Sequence, residues 1–244
     1  SPLAPAAPLP YRSPWMDDEL EDLQRLAATF SREIFANIDR YSEQHQVDRD
    51  VWTKAGELGL LGLSVPEDYG GSGATFAHEA VVAIEQAKAG DDSWGFVVHA
   101  IIVTHYIVAY GTEEQKRKWL PKLCSGEWVG AIGMTEPGAG SDLKRVSTRA
   151  GRGGDEFIIN GSKTFITNAG HADLIVLVAR TCERDKAAGH KGISLIVLET
   201  ADLDGFERGR VLQKIGQHGQ DTRELHFTDM RVPVANLLGE EGRG

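Results

Sequence analysis

The chain has 244 residues, 41% of them hydrophobic and 25% charged, with a formal net charge of −10. That length holds two domains of ordinary size, or one large one, with a core easily buried. The acidic balance argues against a nucleic-acid binder, which needs a concentrated basic face.

In chain order, residues 1–14 mix prolines with small apolar residues and lack a signal peptide's basic flank and continuous apolar core. They read as a flexible arm. Leu20, Leu23, Ala27, Phe30, Ile34 and Ile38 then recur at three- and four-residue steps behind Asp17, Asp18 and Glu19, the pattern of an amphipathic helix with an acidic first turn. A second helix is expected from Asp48 to about Leu58, ending at Gly59. Val65 to Gly73 reads as loop, and further helices are expected at about Thr75–Lys88 and Asp92–Ala109. Thr112 and Gln115 have capping-box spacing and open a helix that runs to Cys124, with Pro121 marking a kink or a new first turn. Val97 to Ala109, the longest apolar run, falls short of the roughly 18 residues of a membrane span and carries His99 and His105. Cys124 and Cys182 lack metal-ligand spacing and read as small core residues of a reducing compartment.

From Trp128 onward the pattern is that of strands. Asn160-Gly161 lies between two short apolar runs in Phe157–Thr167, a strong hairpin signal. Leu174–Ala179, Ile193–Leu198 and Leu225–Val232 are β-rich and bounded by turn residues. The strands are not separated by helices, which disfavours a doubly wound nucleotide fold. The expected fold class is therefore α+β: an all-α domain over 15–126, an antiparallel β-barrel or sandwich domain over 127–238, and the start of a linker at 239–244.

Most motif matches fail. No G-x-G-x-x-G opens a helix, and Gly161-Ser-Lys-Thr164 lacks the leading glycine of a phosphate loop. His78-Glu79 would need a histidine at 82, where Val82 stands, so no metal site is expected. His99 and His105 read as helix-packing histidines with satisfied ring nitrogens. Ser141 has no nearby base and acid that would make it a nucleophile.

What survives is the run Ile132-Gly-Met-Thr-Glu-Pro-Gly-Ala-Gly-Ser-Asp142, a strand-like segment leading into a Gly-rich turn. Glycines let the main chain and its N–H groups approach a large polar ligand closely. Together with Asn160–Asn168 and Lys214–Pro233, in this order and spacing, it resembles the acyl-CoA dehydrogenase family, most closely its long-chain branch. Val65–Gly71 and Tyr110–Lys116 also fit, so the resemblance covers about residues 20–244. It implies a flavoprotein that binds FAD. Ile132, Met134 and Thr135 fall on the pyrimidine side of the isoalloxazine, and Gly140 and Ser141 on the cofactor's pyrophosphate. Ser141 also falls close to the acyl-CoA substrate. Phe165, Ile166 and Thr167 fall on the flavin: Phe165, where the family more often has Trp, as an apolar wall, and Thr167 near N5. Glu136, ahead of Pro137, reads as a carboxylate that holds the loop.

The reaction so implied is α,β-dehydrogenation of a fatty acyl-CoA, with hydride transfer to flavin N5 and electrons passed to an electron-transfer flavoprotein. The resemblance places the catalytic Glu and a C-terminal helical bundle beyond Gly244, so this chain is expected to hold no catalytic residue, to be inactive alone and to retain flavin weakly or not at all. A homotetramer or dimer is the implied full-length state. The cytoplasm is the default compartment, with the mitochondrial matrix the alternative. A non-catalytic scaffold module and a flavin oxidase of the same superfamily are the competing readings.

Overall fold

The computed structural model of the chain describes residues 12–182 and 191–244; most of the predicted arm, 1–11, lies outside these residues. α1 (Asp18–Phe35) starts where its sequence says it should. The Asp17 carboxylate accepts the Leu20 N–H at 2.9 Å, and Asp18, Glu19 and Glu21 sit at the positive end of the helix dipole. Leu20, Ala27, Phe30 and Ile34 form its buried stripe. The helix does not continue to Ile38 as the periodicity implied. The Asn37 N–H turns back to Ile34 O and its side-chain amide donates to Glu33 O, closing one helix and opening α2 (Ile38–Gln44).

α3 (Arg49–Glu57) and α4 (Phe76–Ala89) lie close to their expected positions. The helix expected from Asp92 begins later. Buried Asp91 accepts hydrogen bonds from the Ser93 backbone and hydroxyl and from Gln86, which fixes 91–95 as a loop. Helical structure resumes with a π-helical stretch, Val97–Val103, that runs directly into α5 (Thr104–Tyr110). α6 (Glu113–Cys124) carries the predicted capping box, with the Gln115 N–H donating to Thr112 Oγ1 at 3.2 Å and the Thr112 N–H to Gln115 Oε1 at 3.0 Å. Pro121 sits inside this helix without ending it.

The second half forms one eight-stranded sheet. Its strands are β1 (Val129–Gly133), β2 (Arg149–Gly153), β3 (Glu156–Thr167), β4 (Ala172–Arg180), β5 (Ile193–Glu199), β6 (Phe206–Val211), β7 (Thr222–Pro233) and β8 (Leu237–Leu238). The order is β6-β7-β3-β2-β4-β5-β8, with β1 joined to β4. Most pairings are antiparallel, but β1 runs parallel to β4, and a single β2–β4 bridge is parallel too. β4 is buried on both faces. Leu174, Val176 and Val178 pack with Ile107, Trp119, Leu120 and Leu123 of α5 and α6. Ile175, Leu177 and Ala179 pack with Phe157 and Ile159 of β3 and Leu225, Phe227 and Val232 of β7, so the sheet curls around a core of its own.

The hairpin expected at Asn160-Gly161 does not exist. β3 passes straight through it, and the real hairpin joins β2 to β3 at Gly154-Asp155. Gly161 instead marks a bulge against β7, where a Cβ would come within 2.6 Å of Thr148 Oγ1. The Asn160 side chain is taken up across the sheet, its amide donating to Asp229 Oδ1 and its oxygen accepting the Asp229 N–H.

Candidate functional site

The segment after β1 is built around a buried ion pair. Glu136 accepts hydrogen bonds from the Ser147 N–H (2.7 Å) and hydroxyl (2.6 Å) and from the Thr148 N–H (2.9 Å). Lys163 Nζ donates to Glu136 Oε1 at 2.8 Å and to Met134 O at 3.0 Å. The two side chains are 2% and 0% exposed. Burial alone would push the Glu136 carboxyl up, but these donors win and hold it at about 2. Burial pushes the Lys163 ammonium down, partly offset by Glu136. Glu136 thus holds the loop, as expected. Beyond it the turn closes through reciprocal backbone hydrogen bonds between Glu136 and Ala139, leaving Pro137, Gly138 and Gly140 to Asp142 exposed. A Cβ on Gly138 or Gly140 would meet nothing within 4 Å, so this backbone borders open space.

β3 supplies the facing wall. The Thr164 N–H donates to Thr135 O at 2.9 Å, which brings the first and second predicted segments together. The β3–β7 register shifts between Lys163 and Ile166, and within this bulge Phe165 takes a left-handed φ of 59°. Its ring is turned out of the sheet and is 65% exposed, whereas plain strand alternation would have sent it inward. A bulky residue held in this region costs about 1–2 kcal/mol and persists where surrounding structure imposes it. Ile166 points the other way, into the β core, so only its backbone faces the site. Thr167 is half-buried at the strand's end.

Asn168, also left-handed with φ 66°, is buried. Its amide donates to Gly95 O at 3.0 Å and Gly130 O at 3.2 Å, tying the start of the π-helix and β1 to the end of β3. A side chain at Gly95 would overlap this amide, its Cβ falling 1.9 Å from Asn168 Oδ1. The third predicted segment joins here: Asp221 O accepts the Asn168 N–H, and Asp221 Oδ2 accepts the Gly170 N–H.

Two hollows flank these walls. One, of about 410 Å3, lies between Tyr106 of α5, Met134, Ser141 to Lys144, and Val178, Ile193 and Leu195 of the sheet. It joins Met134 and Ser141 on one predominantly apolar surface. The other, of about 330 Å3, lies beside Thr164 and Phe165 and is edged by Arg210 to Gln213 and Glu224. Arg180, buried in β4, donates to Lys144 O (2.9 Å) and Val146 O (3.3 Å) and anchors the far end of the loop.

Sequence reasoning missed Lys163, Arg180 and Tyr106. For Lys163 a signal existed: it shares inward parity with Phe157 and Ile159 along β3, an anomalous place for a charge.

The histidines behave as helix-packing residues. His99 is fully buried; its Nδ1 accepts the Gly130 N–H at 2.9 Å and its Nε2 lies 3.0 Å from Leu123 O, which fixes the proton on Nε2. Burial, with the charge of Arg49, outweighs the hydrogen bond to Leu123 and lowers this ring to about 4. His105 Nε2 meets Ser64 Oγ at 2.9 Å and both Glu79 oxygens at 3.0 Å. Serine and carboxylate share one ring nitrogen, so no relay through the imidazole forms; the cluster clasps α4 to α5. Cys124 is buried, its thiol pushed up to about 12, while Cys182 is exposed and not the core residue expected. Among the described residues no group of three His, Cys, Asp or Glu could hold a metal, and no helix is long and apolar enough to cross a membrane.

Residues 17–127 match the family model described as acyl-CoA dehydrogenase, N-terminal domain, and residues 131–230 the model for the middle domain. The chain belongs to the acyl-CoA dehydrogenase family. It is 45% identical to the mitochondrial long-chain specific acyl-CoA dehydrogenase of Mus musculus over 215 residues, 88% of this chain and 50% of that protein. Among solved structures, acyl-CoA dehydrogenase from Geobacillus kaustophilus superposes with a TM-score of 0.91 at 47% identity, covering 96% of this chain and 61% of that one. A glutaryl-CoA dehydrogenase from Mycobacterium smegmatis in complex with FADH2 gives 0.83 at 29% identity, over 93% and 57%. The chain thus spans about half the length of the curated relative it matches.

Proposed function

We propose that this acyl-CoA dehydrogenase chain forms the flavin- and acyl-facing wall of an FAD-dependent dehydrogenase acting on long-chain acyl-CoA thioesters. The observation that carries this reading is the joining of the Met134–Thr135 segment to the outturned Phe165 through the Thr164–Thr135 hydrogen bond. The residues present suit the cofactor: an exposed aromatic face, half-buried Thr135 and Thr167, and an open Gly-rich turn suit a planar heterocycle with a polar rim and a diphosphate.

FAD, when bound, supplies the hydride acceptor. The chain's own part is to bind and orient. Ile132, Met134 and Thr135 line the ring's polar edge, donors there favouring the charge that reduction brings. Phe165, Ile166 (by its backbone) and Thr167 form the facing side, and Phe165 keeps water off it. Gly140 and Ser141 take the diphosphate side, and Ser141 with Met134 borders the apolar hollow where the thioester's chain would lie. The mouse relative's name is the support for long acyl chains. An electron-transfer flavoprotein as acceptor and a homo-oligomeric assembly rest on the family resemblance.

The test is a fluorescence titration of FAD with this chain, beside Phe165→Ala and Thr135→Val. Saturable quenching that weakens in both variants supports the reading. A binding curve that neither substitution weakens would overturn it, because weak binding as such is already expected of a chain without the C-terminal bundle.

A further inference from the structure

Among the buried charged groups, Lys163 has one contact that charge balance does not require. Glu136 is already served by three donors from Ser147 and Thr148. A lysine recruited only to neutralise it would not also need Met134 O, yet Nζ sits 3.0 Å from that oxygen. The stem runs beneath β1, where a Cβ on Gly133 would lie 3.6 Å from Lys163 Cγ. One ammonium therefore cross-links Met134, Glu136 and, through Glu136, the entry to β2. It does so from a strand position two residues before Phe165. Buried ion pairs are poor sources of net stability, because apolar residues of like volume often do as well. They do impose one geometry, since a misplaced partner leaves a buried charge unmet.

We propose that Lys163 is a positioning residue that locks the 134–136 wall to the 163–167 wall, and that this lock sets the flavin's affinity and reduction potential. The inference rests on the flavin reading above for its second half only; the lock itself is a property of the chain without ligand.

The decisive variant is Lys163→Met combined with Glu136→Gln, which removes the tether to Met134 without stranding a charge. Ser147→Ala serves as the control, because it trims Glu136's far side and leaves both Lys163 bonds. Amide exchange of the unliganded chain is followed at Thr164, whose N–H donates to Thr135 O, against Val176 in β4. In parallel, FAD affinity and the potential of bound FAD are measured. In the double variant, exchange at Thr164 rises about tenfold more than at Val176, the FAD dissociation constant rises about tenfold, and the potential moves. Ser147→Ala stays within about twofold of the parent. Unchanged exchange at Thr164 in the double variant overturns the lock, whether or not FAD binds. Equal acceleration at Val176 overturns it too, by showing general loosening. FAD binding that Phe165→Ala and Thr135→Val leave unchanged overturns the flavin reading, and the exchange data still decide the lock. Raised exchange with unchanged affinity and potential overturns the link from lock to flavin.

Discussion

His99 makes the stability of the helical half depend on pH in a calculable way. Its ring titrates at about 4 in the fold and at about 6.5 when unfolded. As pH falls through 6.5 the unfolded chain takes up a proton that the folded chain refuses, so unfolding becomes easier. Stability is fully present above that point and is lost progressively towards pH 4, by about 3 kcal/mol in all. Most of this, about 2 kcal/mol, falls between pH 7 and 4.5. Buried Asp91 works in the opposite direction, its acid form being favoured by burial, so a difference measurement is needed. Urea unfolding of the parent and of His99→Gln at several pH values in this window provides it. The parent should be the more stable at pH 7 and lose about 2 kcal/mol more on acidification. Parallel pH slopes in the two proteins would refute the assignment of a buried neutral imidazole.

Phe165→Asn should raise stability by about 0.5–1 kcal/mol, because Asn tolerates the left-handed backbone better and the lost ring is mostly exposed. The same change should weaken FAD binding; a fall in Tm would contradict the strain assignment. Gly161→Ala should cost about 2 kcal/mol in urea unfolding, since its Cβ meets Thr148 at 2.6–2.9 Å. Wild-type-like stability there would show that the β2–β3 approach is looser than described. In the native chain a thiol reagent should label Cys182 promptly and Cys124 only after unfolding. Equal rates at both would mean that α6 opens readily.

Much of the helical half is legible from periodicity and caps: Asp17 opens α1, and Thr112 with Gln115 opens α6. The failures are local competitions. Asn37 and Asp91 satisfy backbone groups with their own side chains, and no apolar pattern reveals that. In the β half, Asn160-Gly161 carries the chemistry of a hairpin, but tertiary pairing with Asp229 and the close pass of Thr148 use the same residues for a bulge. The Gly-rich turn announces the site. The ion pair beneath it links residues 27 apart in sequence, and Arg180 reaches 36 back to Lys144. Such pairs are set by how the sheet curls, which no local pattern encodes.

The π-helical stretch Val97–Val103 runs one residue longer per turn than an α-helix, its end marked by the Thr104 N–H reaching back to His99 O. Everything after it, including His105 at the Ser64–Glu79 clasp and Tyr106 at the apolar hollow, owes its facing to that extra residue. Deleting one residue within the stretch would restore α-helical register and swing both side chains about 100° around the axis. A one-residue deletion there would therefore re-line the hollow at Tyr106 without cutting the helix that frames it.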